Sequence, residues 1–191
     1  MVAALRAGFF DRSVHEVAPQ LIGCVLIRNG VGGPIVEVEA YDQTDPASHS
    51  YRGRTARTEV MFGPAGHIYV YRSHGIHWCM NLVCDREGNG AAVLIRAIEP
   101  RHGLEEMRRR RPGRGDRELT AGPGRLTQAL GITGEHNGSV IGEEITIMPR
   151  TGREQVVAGV RIGISTAIDE PWRYVRADSR YLSRPMRPKA P

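Results

Sequence analysis

The chain has 191 residues, of which 25% are charged and 40% hydrophobic, a balance that suits one globular domain with a full core. No apolar run approaches the roughly 20 residues of a membrane span, and three cysteines are too few for a disulfide framework, so we expect a cytoplasmic protein. The net charge of +5 favours a polyanionic partner. Because Lys189 is the only lysine, arginine carries nearly all of this charge, which suits phosphate binding but also follows from a genome rich in arginine codons.

The first predicted elements are a capped helix and two strands. Ser13 and Glu16 have the spacing of a capping box, and the apolar residues behind them recur at helical spacing until Gly23 ends the pattern. A short apolar strand over 24–28 then leads through an Asn-Gly turn to a second strand over 35–41.

A β-hairpin is predicted in the middle of the chain. Residues 42–67 lack periodicity and read as a loop, whereas 68–71 and 77–83 have high β-propensity. The segment between these two strands carries His74 near its tip, followed by Gly75, which is free to adopt a positive φ.

The second half of the chain alternates helices and strands. We expect a strand over 91–98, a helix over 103–111, a helix from Pro123 to Gly131, and strands over 140–148 and 156–165. Residues 183–191 contain three prolines and little apolar content, so we expect them to fray. With no repeat or linker in evidence, we predict a single α+β domain over 1–191, made of a mostly antiparallel curved sheet, flanking helices and a protruding β-hairpin.

The strand over 35–41 carries two carboxylates and a phenol on one face. Side chains alternate along a strand, so Glu37, Glu39 and Tyr41 point to one side and the apolar residues between them to the other. Such a row is typical of a solvated strand face, but it also suits the floor of a catalytic site. Paired carboxyl groups hydrolyse glycosidic bonds, yet residues i and i+2 of one strand approach a bond from the same side. We therefore favour one acid as a base that activates water and the other as a structural acid, with the ring stacking a planar group.

Metal and nucleophile sites are disfavoured. His74, His77, Cys79 and Cys84 lie close together in the sequence, but a single strand places Cys84 on the face opposite to His77 and Cys79. We therefore predict no metal site. The chain also lacks a nucleophile elbow, a P-loop and a dinucleotide-binding fingerprint.

Arginine clusters flank the predicted hairpin. One comprises Arg52, Arg54 and Arg57, and the other comprises Arg101, Arg108, Arg109, Arg110, Arg111, Arg114 and Arg117. Runs of charge are usually solvated faces, although two clusters beside an exposed tip could hold the phosphates of a duplex. The start of the helix at Pro123 could bind a phosphate through its peptide N–H groups and Arg125, or it could be a plain helix start.

A series of motifs runs in order from about residue 9 to about residue 183. It comprises Phe9-Phe10-Asp11, Leu21-Ile-Gly-x-Val-Leu26, Val36-Glu-Val-Glu-Ala-Tyr41, His49-Ser50, Tyr69-Val-Tyr71, Gly75, Cys79-Met-Asn81, Val93-Leu-Ile-Arg-Ala-Ile-Glu-Pro100, Asp116-Arg-Glu-Leu119 and Gly122-Pro123. In this order and nearly without gaps, the series resembles the alkyladenine (3-methyladenine) DNA glycosylase family of the eukaryotic type. The resemblance implies hydrolysis of the N-glycosidic bond of damaged purines, with the β-hairpin wedged into DNA.

The resemblance also implies a role for individual pocket residues. Glu39 matches the general base, which activates the water that attacks C1′ of the damaged nucleotide. Tyr41 and Tyr71 match two aromatic residues that sandwich the everted base, and His49 matches a further wall and hydrogen-bond partner. Asn81 matches a residue that crowds the exocyclic amino group of guanine and so acts against a normal base.

Three further residues are expected to contact the nucleotide or the duplex. Arg96 matches a contact to the nucleotide's phosphate, and Arg125 is a second expected phosphate contact. His74 stands where the family places an intercalating side chain, often tyrosine. Histidine there is a departure from the family pattern, and Ile76 or His77 could share the wedge role.

The resemblance implies double-stranded DNA as the partner, contacted from the minor-groove side with little sequence preference. It implies no cofactor, and we expect a monomer that works at the bacterial nucleoid or, in a eukaryote, in the nucleus. Because Lys189 is the lone side-chain amine, we predict simple hydrolysis to an abasic site without Schiff-base cleavage of the backbone. Alkylated adenine and guanine are the expected substrates, with hypoxanthine and etheno adducts as further candidates. A non-catalytic DNA-binding module and a hydrolase of free nucleosides are the alternatives.

Overall fold

A computed structural model describes residues 3–186 and confirms the predicted α+β class. Within these residues the strands are β1 (Val25–Arg28), β2 (Val31–Tyr41), β3 (Ile68–Ser73), β4 (His77–Val83), β5 (Ala92–Ile98), β6 (Ile145–Met148), β7 (Val156–Gly159) and β8 (Arg173–Arg176). The α-helices are α1 (Ala7–Phe10), α2 (Val14–Leu21), α3 (Leu104–Arg110), α4 (Asp116–Leu119) and α5 (Pro123–Leu130), and 3₁₀ turns occupy Glu59–Phe62 and Gly134–His136. None of the helices in residues 3–186 has the length and apolar composition needed to cross a bilayer.

The strands form one antiparallel sheet that curls into a half-barrel, which confirms the predicted curved sheet. The order is β3-β4-β5-β2-β1-β6, and β8 joins β7 to the edge of β2 that lies opposite to β5. The β2–β5 register shifts on either side of Glu37. Such a bulge bends a strand and re-aims its side chains, so β2 is irregular at the first of its two carboxylates.

Strand alternation divides the sheet into a core face and a cavity face. On β4 and β5, Met80, Leu82 and Val93 are fully buried in the main core, together with the apolar residues of α2 and α5. The residues between them, such as Asn81 and Leu94, point to the opposite face, where a cavity opens. One set of strands therefore builds the core and positions the candidate site.

The hairpin and the capped helices follow the sequence patterns closely. Strands β3 and β4 pair from Ile68–Leu82 to Ser73–His77, and the connection between them places both His74 and Gly75 at positive φ. Ser13 caps α2 as predicted, but its hydroxyl accepts from the backbone N–H of His15 rather than of Glu16, so the predicted capping box is not formed. Both helices predicted in the second half are present as α3 and α5.

The predictions are less accurate near the C-terminus. The strands predicted over 140–148 and 156–165 are present only as β6 and β7, and β8 was missed. Apolar alternation continues beyond Gly159, but the chain leaves the sheet there, and two residues later the side chain of Arg161 pairs with the buried Asp45.

Part of the predicted frayed tail is fixed to the sheet. The N–H of Ser183 donates to Glu37 Oε2 at 2.6 Å, and its hydroxyl donates to Glu37 Oε1 at 2.7 Å. The carbonyl of Arg184 accepts a hydrogen bond from Arg173 at 2.5 Å. The prediction of fraying is therefore wrong for Ser183 and Arg184, because the buried Glu37 carboxylate requires the donors of Ser183 and the buried Arg173 requires the carbonyl of Arg184 as an acceptor. The rest of that prediction, over 187–191, lies outside the described residues.

Candidate active site

The cavity face of the sheet opens into a pocket of about 460 Å³, which we call the base cavity. Strands β2, β3, β4 and β5 and the segments over 47–49 and 162–164 form its walls. Among its lining side chains are Tyr41, His49, Tyr69, Tyr71, Asn81 and Arg96. Flat aromatic walls with a few placed polar groups suit a planar ligand that carries hydrogen-bonding edges.

Glu39 lies directly behind the wall of the base cavity and has no solvent exposure. Its Oε2 accepts hydrogen bonds from the Tyr41 hydroxyl at 2.8 Å and from Arg96 Nη1 at 3.1 Å. Its Oε1 accepts one from the backbone N–H of Ile162 at 2.7 Å. All three donor residues line the cavity. This arrangement excludes the solvated strand face and places the carboxylate one layer behind any bound ligand.

Glu37 is also fully buried, but it faces a different set of partners. In addition to its two bonds from Ser183, its Oε1 accepts from Arg96 Nε at 3.0 Å and from Arg173 Nε at 2.8 Å. Arg96 thus joins the two carboxylates, and Glu37 fixes the arginine that bonds to Glu39. Arg173 and Ser183 do not line the base cavity, so most of the bonds of Glu37 hold the fold, which fits the structural role expected for this acid.

Arg96 is only 7% exposed, although it lines the base cavity. Burial acts to lower its pKa, but the adjacent carboxylates of Glu39 and Glu37 more than offset this effect and hold the pKa above its ordinary value. The guanidinium is therefore a permanent cation. It has more N–H groups than these two carboxylates use, and its contact to a phosphate stays a prediction.

Tyr71 and His49 form one aromatic wall of the cavity. Their ring centroids are 4.4 Å apart at an interplanar angle of 72°, and Tyr69 stacks on Tyr71 at 5.6 Å. His49 Nδ1 and the hydroxyl of Tyr69 are 3.0 Å apart. At the floor, Asn81 Nδ2 donates to the carbonyl of Tyr69 at 3.0 Å. The sequence analysis assigned no role to Tyr69, whose hydroxyl fixes the orientation of His49.

Burial lowers the pKa of His49, and the nearby Arg57 guanidinium lowers it further. Because the folded pKa lies below the unfolded one, the stability linked to neutral His49 is complete above about pH 6.5 and is lost as the pH falls through the folded pKa. We expect the free energy of unfolding in urea to fall less between about pH 7.5 and about pH 5.5 for His49→Gln than for the wild type. An equal fall in both proteins would contradict this assignment.

Tyr41 is another aromatic residue of the lining, and the guanidinium of Arg161 lies over its ring. The guanidinium carbon of Arg161 is 4.6 Å from the Tyr41 ring centroid and 4.9 Å from that of Trp172, so the cation lies between two aromatic rings. Arg161 Nη2 donates to Asp45 Oδ1 at 3.0 Å, and Nη1 donates to the carbonyl of Ala40 at 3.0 Å. Both side chains of the Arg161–Asp45 pair are fully buried.

Arg161 acts on Glu39 through two of its hydrogen-bond donors, Tyr41 and Ile162. Burial raises the pKa of Tyr41, and the adjacent Glu39 carboxylate raises it further, so the phenol stays protonated and donates to Glu39. The residue after Arg161 is Ile162, whose N–H donates to the other carboxylate oxygen. Arg161 therefore fixes two of the three groups that orient Glu39.

The sequence analysis missed Asp45, Arg161, Ile162, Trp172 and Ser183. A single arginine within the apolar run over 156–165 was a signal for a buried charge. Its partner could not be identified, because Asp45 is 116 residues away along the chain.

The remaining predicted residues lie at or beyond the mouth of the base cavity. His74 is exposed at the tip of the hairpin and lines the cavity, while Ile76 beside it is 67% exposed. Arg125 lies in a neighbouring cleft rather than in the base cavity. Cys79 lines the cavity and Cys84 lies in the main core, on opposite faces as predicted. Within residues 3–186 there is no group of three or more His, Cys, Asp or Glu side chains that could hold a metal ion.

The chain is similar to proteins of one family. Residues 8–180 match the family model described as Methylpurine-DNA glycosylase. A "Putative 3-methyladenine DNA glycosylase" of Nitrobacter winogradskyi is 58% identical over 184 residues, which cover 96% of this chain and 88% of the relative. Proteins with the same name from Rhodopseudomonas palustris (strain HaA2) and Nitrosospira multiformis are 57% and 55% identical, over 96% and 93% of this chain and 92% and 93% of their own lengths. The chain therefore belongs to the methylpurine-DNA glycosylase family.

Proposed function

We propose that this protein is a DNA glycosylase that hydrolyses the N-glycosidic bond of damaged purines, chiefly alkylated ones, in double-stranded DNA. The observation that carries this proposal is the position of Glu39, a buried carboxylate whose three hydrogen-bond donors all line an aromatic cavity. The names of the related proteins support the choice of 3-methyladenine as a substrate.

Eversion of the nucleotide comes first. A base stacked in a duplex cannot be attacked at C1′ by a water held on the protein, so the nucleotide must rotate out at a cost of a few kcal/mol. Stacking on an aromatic side chain returns about 1–3 kcal/mol per base. Tyr41 on one side of the cavity and Tyr71 on the other can therefore offset this cost, and a positively charged alkylated purine gains further cation–π attraction.

Glu39 acts on the nucleophile. A carboxylate offers about four acceptor positions, and the observed bonds leave one of them, on Oε1. Because Glu39 is fully buried in the free protein, the water reaches this position only as the bound nucleotide displaces the wall in front of it. Glu39 accepts a proton from this water as the oxygen bonds to C1′, and the electron pair of the glycosidic bond leaves with the purine. The anion also stabilises the positive charge that develops on the sugar. Arg96, Tyr41 and Ile162 keep the carboxylate in place throughout.

Discrimination against normal bases is assigned to Asn81. Its amide is fixed by the bond to the Tyr69 carbonyl, so it cannot turn away from a guanine that carries an exocyclic amino group. Cleavage of the DNA backbone through a Schiff base needs an amine, and Lys189 is the only lysine of the chain. This scarcity of amines supports simple hydrolysis to an abasic site.

The two alternative functions, a hydrolase of free nucleosides and a non-catalytic DNA-binding module, lose the observations that favoured them. The nucleoside-hydrolase reading depended on paired acids, but Glu37 is occupied by Arg96, Arg173 and Ser183. The non-catalytic reading depended on the altered wedge at His74, whereas Glu39, Tyr41 and Asn81 are all present at or behind one cavity.

A panel of lesion duplexes tests the proposal. Duplexes that contain one alkylated purine, hypoxanthine or etheno-adenine are incubated with the protein and then treated with hot alkali, which cleaves abasic sites. We expect strand cleavage only after alkali, no borohydride-trapped adduct, and a steep fall of purine release with salt because phosphate contacts are lost. Binding without abasic product would favour the non-catalytic module, and activity on free nucleosides that is flat with salt would favour the small-substrate hydrolase.

The wedge role of His74 is testable separately. We expect His74→Ala to raise the Kd for a lesion duplex about fivefold or more, equivalent to a loss of at least ~1 kcal/mol of stacking in the vacated gap. Ile76→Ala, two residues away on the same exposed turn, is the matched control and is expected to change Kd less. A larger effect of the Ile76 variant would transfer the wedge role to that residue.

A further inference from the structure

One arginine lines the base cavity without an acidic partner. Among the described lining residues there are two arginines, Arg57 and Arg96, and no Asp or Glu. Arg96 is bonded to the carboxylates of Glu37 and Glu39. In contrast, no Asp or Glu within residues 3–186 forms an ion pair with Arg57. Arg57 therefore brings a positive charge to the cavity that the described residues do not neutralise.

The arginines of the loop before the hairpin lie in different environments, although the sequence grouped them in one cluster. Arg54 pairs with Glu59 at 3.2 Å and does not line the base cavity. Three residues later, the guanidinium carbon of Arg57 is 5.7 Å from the ring centroid of Tyr71, which is within the range of a cation–π contact. Of these two arginines, only Arg57 reaches the candidate site.

The backbone next to Arg57 is anchored, although the residue itself is exposed. Thr58 is buried, and its N–H donates to the carbonyl of Thr55 at 3.0 Å. The hydroxyl of Thr58 accepts from the N–H of Thr55 at 2.9 Å, and the carbonyl of Thr58 accepts from the N–H of Met61 at 2.8 Å. This closed turn fixes the point from which the Arg57 side chain extends to the cavity.

The charge of Arg57 acts on the aromatic wall of the cavity. Burial lowers the pKa of His49, and Arg57 lowers it further. Burial raises the pKa of Tyr69, and the charge of Arg57 acts in the opposite direction. Both effects are those of a positive charge close to the wall. A charge that disfavours the protonation of His49 also repels a cationic ligand that lies against the same wall.

The two tyrosines expected to hold the everted base each have a guanidinium over the ring. Arg161 lies 4.6 Å from the ring centroid of Tyr41, and Arg57 lies 5.7 Å from that of Tyr71. An aromatic ring attracts a cation through the negative charge density of its faces. A second cation on such a ring is attracted by the ring but repelled by the first cation. The charge of Arg161 is neutralised by Asp45, so Arg57 is the source of the repulsion.

We propose that Arg57 sets the charge preference of the base cavity: it weakens the binding of damaged purines that carry a fixed positive charge, relative to neutral purines of the same shape. This inference rests on the proposed function. A cationic purine loses affinity through repulsion from Arg57, whereas a neutral lesion such as hypoxanthine or etheno-adenine keeps its stacking on both tyrosines. Because Arg57 is exposed, salt screens the repulsion.

An isosteric pair of lesions tests this charge preference. Duplexes carry either 7-methyladenine, which is cationic, or 7-deaza-7-methyladenine, its neutral isostere, each with a 2′-fluoro group that slows cleavage of the glycosidic bond. The quantity measured is the Kd of the cationic lesion divided by that of the neutral lesion. We expect Arg57→Gln to lower this ratio about fivefold at low salt and less at high salt. Arg57→Lys, which keeps the charge, should leave the ratio close to that of the wild type.

Arg54→Gln is the matched control, because it removes the same charge from the same loop but not from the lining of the cavity. Thermal melts check that every variant is folded. A ratio unchanged by Arg57→Gln overturns the inference, and this includes equal weakening of both lesions, which would mark a contact to the DNA backbone. An equal fall of the ratio in Arg54→Gln overturns it as well. Purine release by the wild type is measured separately on a hypoxanthine duplex without fluorine, and its absence would refute the proposed function whatever the ratio shows.

Discussion

Replacing Glu39 by Gln is expected to abolish purine release while lesion binding is largely kept. Glutamine preserves the shape but keeps a single acceptor oxygen, so it can accept from Ile162 or from Tyr41 and Arg96, and it cannot take a proton from water or carry the negative charge that stabilises the developing sugar cation. A positioned general base contributes about 10²–10⁴-fold to a rate, so the single-turnover rate should fall by at least about 100-fold. The Kd for a lesion duplex should change far less, because the groups that touch the base and the backbone remain.

Glu37→Gln is the matched control for this experiment. It makes the same substitution two residues away, also removes a buried carboxylate bonded to Arg96, and should lower the melting temperature in a similar way. Single-turnover rates of purine release are measured at a temperature where both variants are folded. We expect the rate of Glu37→Gln to be much higher than that of Glu39→Gln. Equal rates would reduce Glu39 to a structural role, as would purine release by Glu39→Gln close to that of the wild type.

Replacing Arg161 by Met is expected to destabilise the protein severely. The change leaves Asp45 buried without the cation that it pairs with, and breaking a buried pair in this way costs about 3–5 kcal/mol. For a chain of this size the melting temperature should fall by roughly 6–20 °C. Arg176→Met is the control, since its pair with Glu99 is partly exposed and should contribute only about 0–1 kcal/mol.

The double variant Arg161→Met with Asp45→Asn separates stability from function. Removing both charges should restore much of the free energy of unfolding, because no unpaired ion stays buried. It should not restore activity, since Tyr41 has lost the cation behind its ring and the Ile162 N–H is no longer held against Glu39. Urea unfolding and single-turnover rates measured on the same preparations check both parts. Recovery of the full rate along with stability would show that Arg161 acts only on folding.

The sequence allowed most of the sheet to be predicted, because its signals are local. High β-propensity identified β3 and β4, and a continuous apolar run identified β5. Ser13 and Gly23 bounded α2, and Pro123 and Gly131 bounded α5. β8 was missed because its four residues begin and end with arginine, so its buried valine does not stand out. That strand is stabilised by pairing with β2 and by the Arg173–Glu37 contact, which join residues more than a hundred positions apart.

The candidate site was predictable only in part, for a related reason. Alternation assigns Glu37 and Glu39 to one face but does not reveal what covers that face. The cover comes from Ile162 and Ser183, which lie 123 and 146 residues from the carboxylates they contact. The motif series, rather than periodicity, is what distinguished Glu39 from Glu37. The hydrogen bonds supply the physical reason, since all three donor residues of Glu39 line the cavity, whereas Arg96 alone among the donor residues of Glu37 does.

A crystal structure of Glu39→Gln bound to a duplex with one etheno-adenine or hypoxanthine tests the central claim most directly. The account predicts that the purine leaves the stack and lies between Tyr41 and Tyr71, with C1′ close enough to residue 39 for a single water to bridge them. A purine that stays stacked in the duplex, or one bound with its sugar turned away from residue 39, would contradict the account.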